Sequence, residues 1–150
     1  MAVLAFNKRA KFDYQILEII EAGLVLTGQE VKSIRNGQAS LQGAYVTLHQ
    51  NDMYLINANI PVYKMAGPQP GYDPTRSRKL LLNKKEIAYL AVKLQQIGLT
   101  LLPLSLYTKN KKIKLELALA KGKKLFDKRR TIKEREEKRN VQRALKTRFK

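Results

Sequence analysis

The sequence predicts a mostly β protein: a small, mostly antiparallel barrel capped by helices, with a basic tail appended at the C-terminus. Three observations carry that expectation. Five segments have strand-like patterns, two short, strongly capped helices do not alternate one for one with them, and the composition changes abruptly after residue 120. An open α+β sandwich satisfies the same element order. With 150 residues the chain can bury a real core in one domain, residues 1–120, and still carry an extension, residues 121–150.

Residues 7–11, NKRAK, read as a short basic arm at the start of the first strand. Residues 13–22 place Tyr14, Ile16 and Ile20 on one parity and Leu17 and Ile19 on the other, the pattern of a strand covered on both faces. Gly23 is expected to break or bend that strand, and Leu24 and Leu26 continue the core pattern. Thr27 and Glu30 then stand at capping-box spacing and open a helix that Asn36-Gly37 ends. Within it Val31 and Ile34 can face a core while Lys32 and Arg35 share the neighbouring solvent face.

Residues 44–49 and 53–60 read as a hairpin across Gln50-Asn51-Asp52, with Val46 and Leu48 inward and either Leu55 or Ile56 inward opposite them. Ile60 to Lys79 holds four of the five prolines and reads as an irregular loop ending in Arg76, Arg78 and Lys79. Asn83, with Glu86 three residues on, opens a second helix. Its stripe of Ile87, Leu90, Ala91, Leu94 and Ile97 is assigned to the core, and Gly98 stops it. Strands at 99–107 and 113–120 follow, joined by a turn from Lys109 to Lys112; Pro103 lacks an amide hydrogen, so its strand lies at an edge or carries a bulge there.

Charge says more than composition. Thirty Lys and Arg against twelve Asp and Glu give +18, which points to a polyanionic partner. From Lys121 onward, fourteen basic and four acidic residues put +10 in the last thirty, and residues 133–140 contain no apolar side chain. Such a tail has no continuous stripe to dock and is expected to be disordered alone, with Leu125, Ile132, Val141, Leu145 and Phe149 as sparse anchors for a partner. The apolar runs fall far short of the ~18 residues that a membrane span needs, so lipid is not the expected polyanion. The short MAVLAF start lacks the build of a signal peptide, and the chain is read as cytoplasmic. With no Cys and a lone His49, no metal or other cofactor is expected.

No nucleophilic triad, phosphate loop or zinc cluster appears. Asp13, Glu18, Glu21 and Glu30 are the nearest approach to a Mg²⁺ nuclease site, at a spacing that matches no motif, and Glu30 is already explained as a cap. Charge alone does not choose DNA or RNA. Tyr45 and Tyr54 are either stacking platforms or half-buried sheet residues, whereas Phe126, flanked by Lys123, Lys124, Lys128 and Arg129, has the surroundings of a base-stacking ring.

Three stretches, EAGLVLTGQEVKSIRNGQA, DPTRSRKLLLNKKEI and ALAKGKKLFDKRR, resemble in order the signature segments of the SsrA-binding (SmpB) family of bacterial trans-translation. The resemblance runs from about Asn7 to at least Arg135. It implies a small barrel of the oligonucleotide-binding (OB) type with attached helices, and a non-enzymatic adaptor. Such an adaptor binds the tRNA-like domain of transfer-messenger RNA (tmRNA) and delivers it to stalled ribosomes. By motif it implies RNA-binding roles for Asn7, Lys8, Arg9, Glu21 and Leu81; charge and position add Lys32, Arg35, Arg76, Arg78 and Lys79. Glu21 either accepts from base amino groups or 2′-hydroxyls, or serves as a strand-end partner.

The GKKLFDKR segment implies a ribosome-binding tail through Gly122, Lys123, Lys124, Phe126, Asp127, Lys128 and Arg129, which enters the decoding centre and empty mRNA channel and becomes helical there. Elongation factor Tu on the same RNA is a further implied partner. Two positions depart from the family pattern: Phe126 stands where relatives commonly have Tyr or His, and Phe12 where many have His.

Overall fold

The computed structural model describes residues 2–123 and the backbone of the helix Leu125–Arg148, with that helix's side chains at 129 and 132–143. Lys124, and the side chains of Phe126, Asp127 and Lys128, lie outside the described residues. In chain order the elements are β1 (Ala2–Phe6), α1 (Ala10–Asp13), β2 (Tyr14–Leu24), α2 (Gly28–Arg35), β3 (Tyr45–His49), β4 (Asp52–Ile56), β5 (Arg78–Leu81), α3 (Lys84–Leu94), β6 (Leu99–Lys109), β7 (Lys112–Gly122) and α4 (Leu125–Arg148). A 3-10 turn, Lys64–Ala66, interrupts the proline-rich loop.

All strand pairs are antiparallel, in the order β1-β6-β3-β4-β5-β2-β7, and β6 also pairs with β7. That last pairing turns an open sheet into a barrel-like ring, which the sandwich alternative lacks. One edge of β6 is shared: β1 pairs with residues 105–108 and β3 with Leu101. Two hairpins close through Gln50-Asn51 and Asn110-Lys111, all four residues at positive φ, where the turn's twist matches that of the flanking strands.

The ring is filled by Ala22, Val46, Met53, Leu55, Leu80, Leu101, Leu106, Leu115, Leu117 and Leu119. Strand β6 is buried on both faces, because Leu102 and Leu104 join Ala118, Ala120 and Ala10 in a second, smaller cluster outside the ring. Hence its run of buried residues from Leu101 to Tyr107, apolar except for Ser105. Both long body helices begin in complete capping boxes, Thr27 with Glu30 and Asn83 with Glu86, and each drives one side chain fully into the core: Ile34 from α2 and Leu90 from α3. Helix α2 sits beside the β6–β7 turn, where Arg35 donates to the Lys111 carbonyl at 2.9 Å.

Several expectations need correction. β1 and β5 exist in addition to the five expected strands, and a four-residue helix, α1, occupies part of the basic arm. Strand β2 does not break at Gly23 but runs to Leu24; its bulge lies between Ile16 and Glu18. Gly23 pairs with Leu81, and a Cβ there would stand 3.2 Å from the Leu81 Cβ, so the glycine permits close approach of β5. The irregularity at Pro103 is present, between Pro103 and Ser105. Ile97 is fully exposed because α3 ends at Leu94, and Leu48 lies half-exposed beside a groove under α3; Leu55, not Ile56, faces the core.

After β7 the chain turns beside α1, where the Lys123 amide donates to the Asp13 carbonyl at 2.9 Å and its Nζ to the Lys11 carbonyl at 3.0 Å. Helix α4 then runs for 24 residues, about 36 Å at 1.5 Å per residue. From Ile132 to Arg143 its side chains are exposed. It meets the body at α1, where the Arg135 guanidinium lies 5.9 Å from the Phe12 ring, with Arg9 at 5.4 Å from the same ring.

Candidate nucleic-acid interface

The two carboxylates that bracket the opening of α2 have opposite fates. Glu30 is buried and accepts from the Thr27 amide at 2.9 Å, from Arg76 at 2.6 Å and from Arg78. Burial opposes its ionisation, but the Thr27 amide and the two guanidinium groups outweigh that, and the carboxyl is held below its ordinary range. Arg78 has no exposed surface; it also donates to the Ala58 carbonyl at 2.8 Å and the Pro74 carbonyl at 3.0 Å. As placed it cannot touch an RNA, which corrects its inclusion among the surface cations. Its charge pins the proline-rich loop to the start of α2. Arg76 shares this carboxylate while remaining partly exposed.

Glu21 lies on the outer face of β2, partly exposed, and accepts from the Tyr107 hydroxyl and from Lys109 Nζ at 3.3 Å. The hydrogen bond from Tyr107, helped by Lys109 and Lys114 against a partial desolvation, holds this carboxyl below its ordinary range. Two residues along β2, Gly23 leaves room for the exposed Leu81. Beside them runs a groove of about 320 Å³ with an apolar floor from Leu24, Leu26, Val31 and Leu81 and a rim of Arg35, Lys111, Lys112 and Lys114. Lys32, one helical turn before Arg35, stands 5.7 Å from the Tyr63 ring.

The structure therefore brings Leu81 and Arg35 together in one groove, with Glu21 beside it on β2 and Lys32 nearby on α2. It sets Lys79 apart, 3.6 Å from Asp52 on the β3–β4 hairpin. The basic arm forms a second surface. Asn7 is half-buried there and donates through Nδ2 to the Pro103 carbonyl at 2.9 Å, beside the β6 irregularity, while Lys8 and Arg9 are exposed and Arg9 reaches Asp13 at 3.5 Å. Gly122 ends β7, Lys123 anchors the turn into α4, and Arg129 is exposed. The four carboxylates considered for a nuclease site are each committed to a protein donor: Asp13 to Arg9, Glu18 to Tyr89, Glu21 to Tyr107, and Glu30 to Arg76 and Arg78. Among the described residues no three acidic or histidine side chains converge as metal ligands, and no helix is long and apolar enough to cross a membrane.

Sequence reasoning did not single out Tyr107, Lys109, Lys111, Lys112 or Lys114 as interface residues. The KNKKIK turn was legible as a turn, but only the ring brings it beside Glu21 and Leu81.

A basic groove with one exposed carboxylate, on a barrel-like ring trailing a basic helix, is the context for the comparison with known proteins. A family model described as "SmpB protein" matches residues 4–147. The chain belongs to the SmpB family. Curated relatives described as "SsrA-binding protein" include one from Thermosynechococcus vestitus, 48% identical over 97% of this chain and 96% of the relative. Another, from Mycoplasma mycoides subsp. mycoides, is 49% identical over 87% of this chain and 88% of the relative. A solved structure described as "tmRNA-SmpB: a journey to the center of the bacterial ribosome" matches with a TM-score of 0.67 and 44% identity, over 80% of this chain and 84% of that one. The SmpB match thus spans both the ring and most of the tail helix.

Proposed function

We propose that this chain is a non-enzymatic adaptor that binds the tRNA-like domain of tmRNA and delivers it to stalled ribosomes for trans-translation. The observation that carries the reading is the groove in which Leu81 meets the cations of α2 and the β6–β7 turn, with Glu21 beside it on β2 and near Lys114 of its rim. Lysine and arginine contact phosphates, the leucine floor meets an apolar base or ribose face, and the carboxylate accepts from a base amino group or a 2′-hydroxyl. Lys32 and Arg76 on the α2 side, Lys79 on the β3–β4 side, and Lys8 and Arg9 on the separate arm surface add phosphate contacts. Elongation factor Tu is a neighbour on the same RNA.

The tail acts at a later step. Gly122 permits the change of direction, and Lys123, Lys124, Phe126, Asp127, Lys128 and Arg129 engage the decoding centre while the rest of the helix lies in the empty mRNA channel. Along residues 133–140 no apolar side chain is available to hold the helix to the body, which leaves its charges for a partner.

The test is binding of full-length protein and a 1–120 truncation to the tRNA-like domain and to ordinary tRNA across a salt series. The adaptor reading expects the truncation to keep the preference and to lose part of the salt slope. Absence of preference in both forms would reduce the protein to a general RNA binder. The division of labour has its own check: Glu21→Ala weakens RNA binding, whereas Asp127→Ala with Lys128→Ala leaves it intact and stops tagging on ribosomes. Equal loss of RNA binding in both variants would end that division.

A further inference from the structure

From the geometry around Glu21 we infer that Tyr107 is a positioning residue for RNA recognition: its buried hydroxyl, with Lys109, fixes the Glu21 carboxylate as a pre-set acceptor for a donor group on the RNA. The inference rests on the reading of the groove as the RNA site. Tyr107 lies on β6, only 5% exposed, and pairs with Val3 of β1 and Lys114 of β7. Its neighbour Leu106 points into the core, so the phenol lies on the outer face and reaches past β7 to β2, ending on Glu21.

A tyrosine hydroxyl buried to this extent requires an acceptor, and Glu21 is the one it has. The reciprocal effect is on the carboxylate. A glutamate on an open strand face samples several rotamers and loses that freedom when a ligand binds. Glu21 instead has one oxygen held by Tyr107, while Lys109 Nζ lies 3.3 and 3.5 Å from its two oxygens. An ionised carboxylate has about four acceptor positions, and this one is 40% exposed, so capacity remains for a partner. The charged and titratable groups facing it are Tyr107 and Lys109 from β6 and Lys114 and Glu116 from β7. A fixed negative oxygen among lysines repels phosphate locally and accepts only a donor. Such an arrangement distinguishes RNAs by where a base amino group or 2′-hydroxyl falls, which uniform positive charge cannot do.

The experiment compares full-length wild type, Tyr107→Phe and Lys109→Met for affinity toward the tRNA-like domain and ordinary tRNA, from pH 8 down to about pH 4.5, near the ordinary carboxylate range. Tyr107→Phe keeps the ring and removes the hydroxyl. The expected result is a roughly tenfold loss of preference for the tRNA-like domain with an unchanged salt slope. A second signature is specific to positioning. Without the Tyr107 hydrogen bond the Glu21 carboxyl protonates at higher pH, so preference decays earlier on acidification than in wild type, and Glu21→Gln abolishes that pH dependence.

Should Tyr107→Phe fail to fold, Lys109→Met gives the same readout from an exposed position. Unchanged preference and pH profile in a folded Tyr107→Phe, or in Lys109→Met where Tyr107→Phe unfolds, overturns the inference while leaving the groove as the RNA site. Loss of preference in wild type itself overturns both.

Discussion

Helices α2 and α4 are both basic, and the contrast between them shows what charge alone leaves undecided. In eight residues α2 buries three side chains, Glu30, Ser33 and Ile34, and presents Lys32 and Arg35 outward from that anchor. Over 24 residues α4 has no comparable anchor among its described side chains, and its exposed stretch has no partner stripe. Fixed charges can be matched to a folded RNA at set distances. Charges on a helix with no buried side chain among those described adapt more readily to a surrounding anionic wall, which suits a channel better than a shaped surface.

The comparison breaks first on stability. Glu30→Ala removes the capping carboxylate and strands Arg78 in the interior, so urea unfolding should show a loss of about 3–5 kcal/mol. Removal of residues 125–150 should change it by less than about 0.5 kcal/mol. A tail deletion that destabilises as much as Glu30→Ala would mean that α4 is part of the body after all. Next comes recognition. Leu81→Asp places a second carboxylate in the groove and should weaken binding to the tRNA-like domain about tenfold at constant stability, because Leu81 is an exposed residue.

Acid sharpens the contrast. The folded Glu30 carboxyl is held below its unfolded value, so its contribution is complete above about pH 4.3 and is lost as pH falls through the lower folded value. Wild type should therefore lose stability over that interval, and Glu30→Gln should flatten the curve; equal acid sensitivity in the two proteins would remove Glu30 from the explanation. The smallest effect concerns the tail as a peptide. Residues 121–150 alone should show weak helicity by circular dichroism that rises when RNA is added, whereas strong helicity without RNA would contradict an unanchored tail.

What the sequence revealed was local. Thr27 with Glu30 and Asn83 with Glu86 sit three residues apart, and both boxes form as their spacing requires. What it concealed was separated along the chain. Glu30 meets Arg78 across 48 positions and Tyr107 meets Glu21 across 86, distances over which no periodicity carries information. Arg78 looked like one more loop cation, yet Arg78–Leu81 alternates buried and exposed, a four-residue strand too short to stand out beside the prolines. Ile97 fitted the α3 stripe by spacing, but the helix stopped one turn short of it. For the candidate site, the motifs nominated Glu21 and Leu81, and only the ring shows which side chains stand beside them.

The pairing of β2 with β7 has a temporal meaning as well. The first long strand of this chain waits for the last one, and the charge of Glu30 waits for Arg78. During synthesis the ring cannot close until the chain as far as Gly122 has emerged, and until then β2 stays without its β7 partner, open to chaperones and proteases.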